Sequence, residues 1–318
     1  MAGRKTILSF GETLWDLLPS GRVLGGAPCN FAYRIQTLGN RGVLVTRLGR
    51  DDLGRAAFDR LRELGMETGF VQWDDRLPTG TVRVRVDPDG TPDFTILRGV
   101  AYDAIEGTES LRALAAEADG VCFGTLVQRA PVSRGTLESL LGWASRAVKI
   151  LDLNLRKDCH SRETIERSLA RADILKLNDQ EAFFLRDLFG IRGNSLPGLA
   201  EALVGRGRLT HVVITLGARG ALAVSRGGER VYDPGYAVEV VDTCGSGDAF
   251  AAGFFHSLLE GGSLAEACRL GNVLGAMVAA QAGATGPVSP EAVEAFRASE
   301  RRRVVDSSLE GLYSGPHG

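Results

Sequence analysis

The sequence predicts an α/β protein in which a mostly parallel central sheet is covered by helices on both faces and carries a small β appendage. Three observations predict it. Short apolar runs of strand length recur at residues 6–10, 43–48, 121–123, 150–153, 174–177 and 211–216. Amphipathic stretches of helical period separate them, as at 53–64, 111–116 and 133–147, and that alternation marks parallel strands joined by crossover helices. One region breaks the pattern: Thr81-Val82-Arg83-Val84-Arg85-Val86 alternates with period two, Asp87-Pro88-Asp89-Gly90 supplies a turn, and Phe94-Thr95-Ile96-Leu97 returns. That is a β-hairpin. At 318 residues and 44% hydrophobic, the chain can bury one large core and support such an appendage.

Along the chain, residues 1–5 lead straight into the first strand without a secretory-type apolar core and cleavage site, and no apolar run reaches 18 residues. A cytoplasmic protein that spans no membrane is therefore expected. Next comes Gly25-Gly26-Ala27-Pro28-Cys29-Asn30-Phe31-Ala32. Paired glycines let backbone amides approach a ligand, and an asparagine opening a helix offers a diol both a donor and an acceptor. After the hairpin, three motifs begin at the ends of apolar strands: Asp152-Leu153-Asn154-Leu155-Arg156, Asn178-Asp179-Gln180-Glu181 and Thr215-Leu216-Gly217-Ala218-Arg219-Gly220. Asp242-Thr243-Cys244-Gly245-Ser246-Gly247-Asp248 then runs into a helix of small and apolar residues reaching about Leu259. Ser263-Leu264-Ala265-Glu266 is a capping box whose helix continues through Asn272 and Gly275 to about Ala280. Residues 1–305 read as one domain without repeats or linkers, and 306–318 as a mobile tail.

The Gly245-Ser246-Gly247 turn carries the chemistry. A helix N-terminus preceded by glycines aims unpaired amides and the positive end of the dipole at an anion, and Asp248 adds a carboxylate able to accept a proton. The ordinary alternative is an aspartate cap with glycines serving a turn. No Gly-Lys dipeptide and no His-Arg-Asp set occurs, so phosphate charge falls to backbone amides, arginine and metal rather than to a P-loop or protein-kinase lysine. No Gly-x-Gly-x-x-Gly follows the first strand, which argues against a dinucleotide-dependent dehydrogenase.

A net charge of −2 gives no basic face for nucleic acid, and Arg301-Arg302-Arg303 reads as a solvated helix end. The five cysteines, at 29, 122, 159, 244 and 268, form no Cys-x-x-Cys pair and read as reduced thiols. Cys29 and Cys244 lie in the ligand loops. Structural filler is the first reading of both; the helix N-terminus is expected to lower the pKa of Cys244, and a reactive role there would show as alkylation that slows the enzyme and that substrate protects against.

Taken together and in this order, these stretches resemble the signatures of the PfkB-type, ribokinase-like carbohydrate kinases from about residue 5 to 290, and Gly25 to Asn30 has the form common among fructokinases. The resemblance implies a ribokinase-like three-layer fold whose lid, at about 13–24 and 78–101, closes over the sugar and supports a homodimer. It implies ATP-dependent phosphorylation of a primary hydroxyl, fructose first, with 2-keto-3-deoxygluconate, ribose and nucleosides next. A sugar phosphate is disfavoured because the sugar-side motifs hold no lysine. By the same resemblance Asp248 is the base, and Gly245, Ser246 and Gly247 form the anion hole. Asp16, Gly26, Asn30, Arg98 and Arg156 meet the sugar. Asn178, Thr215, Gly217 and Gly220 line the ATP phosphates and ribose, with Asn272 on the adenine side. Glu181 holds Mg²⁺ through water, and Asp242 with Gly283 marks a monovalent-cation site suited to K⁺. A catalytically silent sugar-binding regulator would have lost the aspartate or the glycines, and this sequence keeps both.

Overall fold

A computed structural model describes residues 3–18, 21–86 and 92–313. Its main sheet has nine strands in the spatial order Arg230–Asp233, Ala221–Ser225, His211–Thr215, Ile174–Asn178, Val148–Asp152, Gly120–Phe123, Thr6–Phe10, Arg41–Gly49 and Val71–Asp74. The seven from His211–Thr215 onward are mutually parallel, and the first two form an antiparallel edge. The strand register explains the three layers. Along Thr6–Phe10, Leu8 and Phe10 pack with Leu151 and Leu177 on one face. Ile7 packs with Phe31, Phe254 and Phe255 on the other. A sheet buried on both faces needs runs that are apolar throughout, which is what these strands supply.

The appendage is a second sheet of four strands in the order Gly21–Gly25, Leu14–Leu18, Gly80–Val86 and Pro92–Ile96. Gly80–Val86 and Pro92–Ile96 pair antiparallel as the period-two pattern predicts; the expected turn at 87–90 lies outside the described residues. Leu14–Leu18 joins parallel to Gly80–Val86. The lid returns to the body at Arg129, whose buried guanidinium pairs with Asp103 at 2.8 Å and donates to the Leu97 carbonyl at 2.7 Å.

Several expectations change. The helix expected over 133–147 spans Pro131–Trp143 and stops because Ala144, at φ −78° and ψ 48°, leaves the helical region. The capping box at Ser263 opens Leu264–Ala279 as expected. The edge strands Ala221–Ser225 and Arg230–Asp233 were not anticipated. Residues 306–313, expected to be a loose tail, are anchored: the Asp306 amide donates to the Tyr232 hydroxyl, the Asp306 carboxylate pairs with Arg219, and Leu309 is 2% exposed. Among the described residues no helix is long and apolar enough to cross a membrane.

Candidate active site

The helix Ser246–Leu259 begins without a side-chain cap. Gly245 precedes it at φ 75°, and a Cβ there would lie 2.2 Å from the Ala284 Cβ, so only glycine fits. The Ser246 amide donates to the Thr243 carbonyl at 3.2 Å, and Ser246 Oγ donates to the Gly275 carbonyl at 2.9 Å. The amides of Gly245, Gly247 and Asp248 have no acceptor among the described residues. Three free amides at the positive end of a helix dipole make an anion hole.

Asp248 stands half-buried at its edge and accepts a 2.8 Å hydrogen bond from Asn30 Nδ2. Burial pushes its pKa up to about 6, Asp152 reinforces the rise, and Asn30, Lys176 and Arg156 oppose it. Lys176 is the residue the sequence reading missed. Its buried Nζ donates to the two Asp152 oxygens at 3.0 and 3.1 Å. A Cβ on Gly247 would lie 3.3 Å from that Nζ, so the ammonium sits directly beneath the hole. Burial opposes its charge, but Asp152, Glu181 and Asp248 together hold its pKa above the ordinary lysine value. A buried ammonium therefore stands beside the amides, a cation the sequence reading did not place there. The available signal was a lone lysine inside the apolar strand Ile174-Leu175-Lys176-Leu177, in a chain with four lysines in all.

On the sugar side, Gly26 caps the helix Ala27–Thr37 at φ 111°, where a Cβ would strike the Glu12 carbonyl at 2.4 Å. Asn30 is buried and its Oδ1 has no partner, leaving one acceptor for a ligand. The absence of a side chain at Gly25 makes room for Asp16, whose Oδ2 lies 2.6 Å from where that Cβ would be. Burial raises the Asp16 pKa, Arg156 opposes the rise and Asp242 adds to it. Arg156 acts on Glu12 and Asp248 as well, which locates its exposed side chain in the same cleft. Arg98 instead donates to the Asp158 carbonyl, bracing a loop in which Asn154 and Asp158 take φ 38° and 57°. A second missed residue, Glu12, is 6% exposed and lines a cavity with Asp152 and Asn154. Burial pushes its pKa up to about 7.

The nucleotide-side residues are more dispersed. Asn178 and Glu181 form a reciprocal capping box on Asp179–Phe189. Both Glu181 oxygens are engaged, accepting from the amides of Leu155 at 2.7 Å and Asn178 at 2.8 Å. Thr215 pairs across the sheet with Asn178, Gly217 opens the turn that follows, and Gly220 packs against Asp233 and Gly235. Asn272, expected on the adenine side, has its partners within the protein. It is buried, and its Nδ2 donates to the Asp233 carbonyl at 2.9 Å and to Asp233 Oδ2 at 2.6 Å, bracing a strand end.

Asp242 and Gly283 do come together, with Oδ2 accepting from the Gly283 amide at 3.0 Å and Oδ1 from the Cys244 amide at 2.9 Å. The lowered pKa expected for Cys244 is not found, and the reading of both thiols as structural filler is the one that agrees with their surroundings. Cys244, although exposed, is pushed up to about 12 by desolvation and by Asp16, Asp248 and Asp242. Cys29 is fully buried and also pushed up to about 12. Local acids and burial outweigh the helix dipole.

A parallel sheet with an anion hole above its strand ends, a desolvated carboxylate beside that hole and a β lid over the cleft define an α/β phosphotransferase. Residues 20–292 match the pfkB family carbohydrate kinase profile, and the chain belongs to that family. It is 32% identical over 266 residues to the fructokinase of Klebsiella pneumoniae, a match covering 80% of this chain and 84% of that one. Among solved structures, the Xylella fastidiosa fructokinase with bound ATP aligns with a TM-score of 0.81 at 23% identity, over 92% of this chain and 98% of that one. A Vibrio cholerae fructokinase double mutant holding fructose, ADP and a potassium ion aligns with a TM-score of 0.76 at 23% identity, over 92% and 98%. These two likenesses bear on the fold. The protein is an ATP-dependent carbohydrate kinase.

Proposed function

We propose that this kinase transfers the γ-phosphoryl group of ATP to a primary hydroxyl of fructose. The observation that carries the reading is the meeting of Asp248, held by Asn30 at 2.8 Å, with the free amides of Gly245 and Gly247 and the Lys176 ammonium beneath them. Asp16, Gly26, Asn30 and Arg156 hold the sugar. As the hydroxyl oxygen bonds to the γ-phosphorus, its proton passes to Asp248 and the bond to the β–γ bridging oxygen breaks, releasing ADP. The amides and Lys176 meet the charge that develops on the transferred group. A carboxylate with its pKa near 6 is a better base than an ordinary aspartate and is still ionised at neutral pH.

Asn178, Thr215, Gly217 and Gly220 line the nucleotide. Mg²⁺ would neutralise the phosphates, reached by Glu181 through water; a metal carried mainly by phosphates and water needs few protein carboxylates. K⁺ would be held at the Asp242–Gly283 junction, where Asp242 is brought against the Gly283 loop by a 3.0 Å hydrogen bond from the Gly283 amide. Exposed Leu18 and Leu97 at the lid support pairing with a second copy. Light scattering of Leu97→Glu tests that pairing, and a dimer unchanged in mass would exclude this face.

Arg156 favours one further reading. An exposed guanidinium in the sugar cleft would also suit the carboxylate of 2-keto-3-deoxygluconate. Coupled ATP turnover with fructose, 2-keto-3-deoxygluconate, ribose and adenosine distinguishes the readings. Fructose should give the highest kcat/KM, and a preference for the keto acid would transfer the assignment to it.

A further inference from the structure

Arg34 is 1% exposed in the helix Ala27–Thr37, and among the described residues no carboxylate pairs with it. Its Nη2 donates to the Ala284 carbonyl at 2.6 Å, its guanidinium lies 5.1 Å from the Tyr33 ring, and its Nε and Nη1 have no partner. Such an arrangement is unfavourable for the fold. A guanidinium stays charged when buried, and an apolar side chain of similar volume is commonly as stable or more so at such a site. Groups held at that cost concentrate where function needs them.

What Arg34 holds is the back of the anion hole. The Ala284 Cβ lies 2.2 Å from where a Gly245 Cβ would be, so the chain at Ala284 is the surface on which Gly245 rests. One residue earlier, the Gly283 amide is fixed by Asp242. Four residues before Arg34 on the same helix face stands Asn30, which holds Asp248. One helix therefore grips both halves of the reacting geometry, the carboxylate through Asn30 and the loop behind the amides through Arg34. We infer that Arg34 is a positioning residue for phosphoryl transfer, keeping the anion hole in register with Asp248. This rests on the reading of Gly245–Asp248 as the phosphoryl-transfer site.

The test is Arg34→Met with Arg34→Lys beside it. The Met variant is expected to keep or raise Tm while kcat falls at least about tenfold and KM for the sugar stays within about twofold; the Lys variant recovers most of the loss. Hydrogen exchange of the peptide covering residues 242–249, measured without substrate, should be faster in the Met variant. That readout needs no turnover, so a wrong substrate leaves it intact, and a failure of the site reading shows separately as wild-type kcat in Asp248→Asn. Unchanged kcat and exchange in folded Arg34→Met overturn the inference, as does a lowered Tm with wild-type kcat, which makes Arg34 a packing residue. If the Met variant does not fold, Arg34→Gln is held to the same criteria.

Discussion

Two carboxylates in the cleft, Asp248 and Glu12, are displaced upward by the same cause, burial, and they predict different pH behaviour. Asp248 must be ionised to accept a proton, so in the free enzyme kcat/KM should fall about tenfold per pH unit below about 6. Asp248→Asn should fold normally and lose roughly 10²–10⁴-fold in kcat; a mutant keeping a tenth of wild-type turnover would refute the role. Glu12 instead bears on stability. Its folded-state pKa, about 7, exceeds the ordinary 4.5, so its contribution is complete below the unfolded value and is lost as pH rises through about 7. Glu12→Gln mimics the protonated form and should stabilise the protein at pH 8 by up to about 3 kcal/mol, with almost no gain at pH 4, below the unfolded value. Thermal unfolding at the two pH values checks it, and equal shifts at both would exclude a buried titrating Glu12. Neither residue is equally visible in the sequence. Asp248 follows a Gly-Ser-Gly turn that advertises an anion hole, whereas Glu12 sits in Gly11-Glu12-Thr13 with no periodicity, and only folding shows that it lines a cavity with Asp152.

At the scale of elements, the site depends on helix starts, and these were legible where a local rule governs them. Asn178 and Glu181 cap one helix and Ser263 and Glu266 another, each pair three residues apart. Gly245 obeys a stricter rule. Alanine there meets both a positive φ and a 2.2 Å approach to Ala284, so Gly245→Ala should destabilise by about 1–3 kcal/mol and lower kcat by on the order of 10²-fold. A stable, fully active variant would show that Gly245 and Ala284 are not in contact during turnover. Illegible features depend on partners distant in sequence. The hydrogen bond from Asn272 to Asp233 was not anticipated, because the two lie 39 residues apart and nothing local links them. The edge strand Ala221–Ser225 was missed although it opens with four successive apolar residues, because two of them are alanines, which favour strands weakly.

Over the whole molecule, substrate capture requires the lid to be fixed to a sheet that carries the chemistry, and one buried cluster makes that connection. The Arg129 guanidinium pairs with both oxygens of Asp103, at 2.8 and 3.0 Å, and donates to the Leu97 carbonyl and the Tyr102 hydroxyl. Its neighbour at 3.9 Å is Cys159, in the loop that also receives Arg98 and contains Arg156. Arg129 therefore joins the lid's return to the sugar-side loop. Removing one partner of a buried pair leaves the other charge uncompensated, so Arg129→Met should cost about 3–5 kcal/mol and lower Tm by on the order of 10 °C. Because Asp248 and the anion hole lie on other elements, the loss of activity below that Tm should appear as a raised sugar KM with kcat nearly unchanged. Asp103→Asn should resemble it in stability. A fall in kcat at constant KM would mean instead that Arg129 acts on the phosphoryl-transfer step, and the lid and the anion hole would then have to be treated as one cooperative unit.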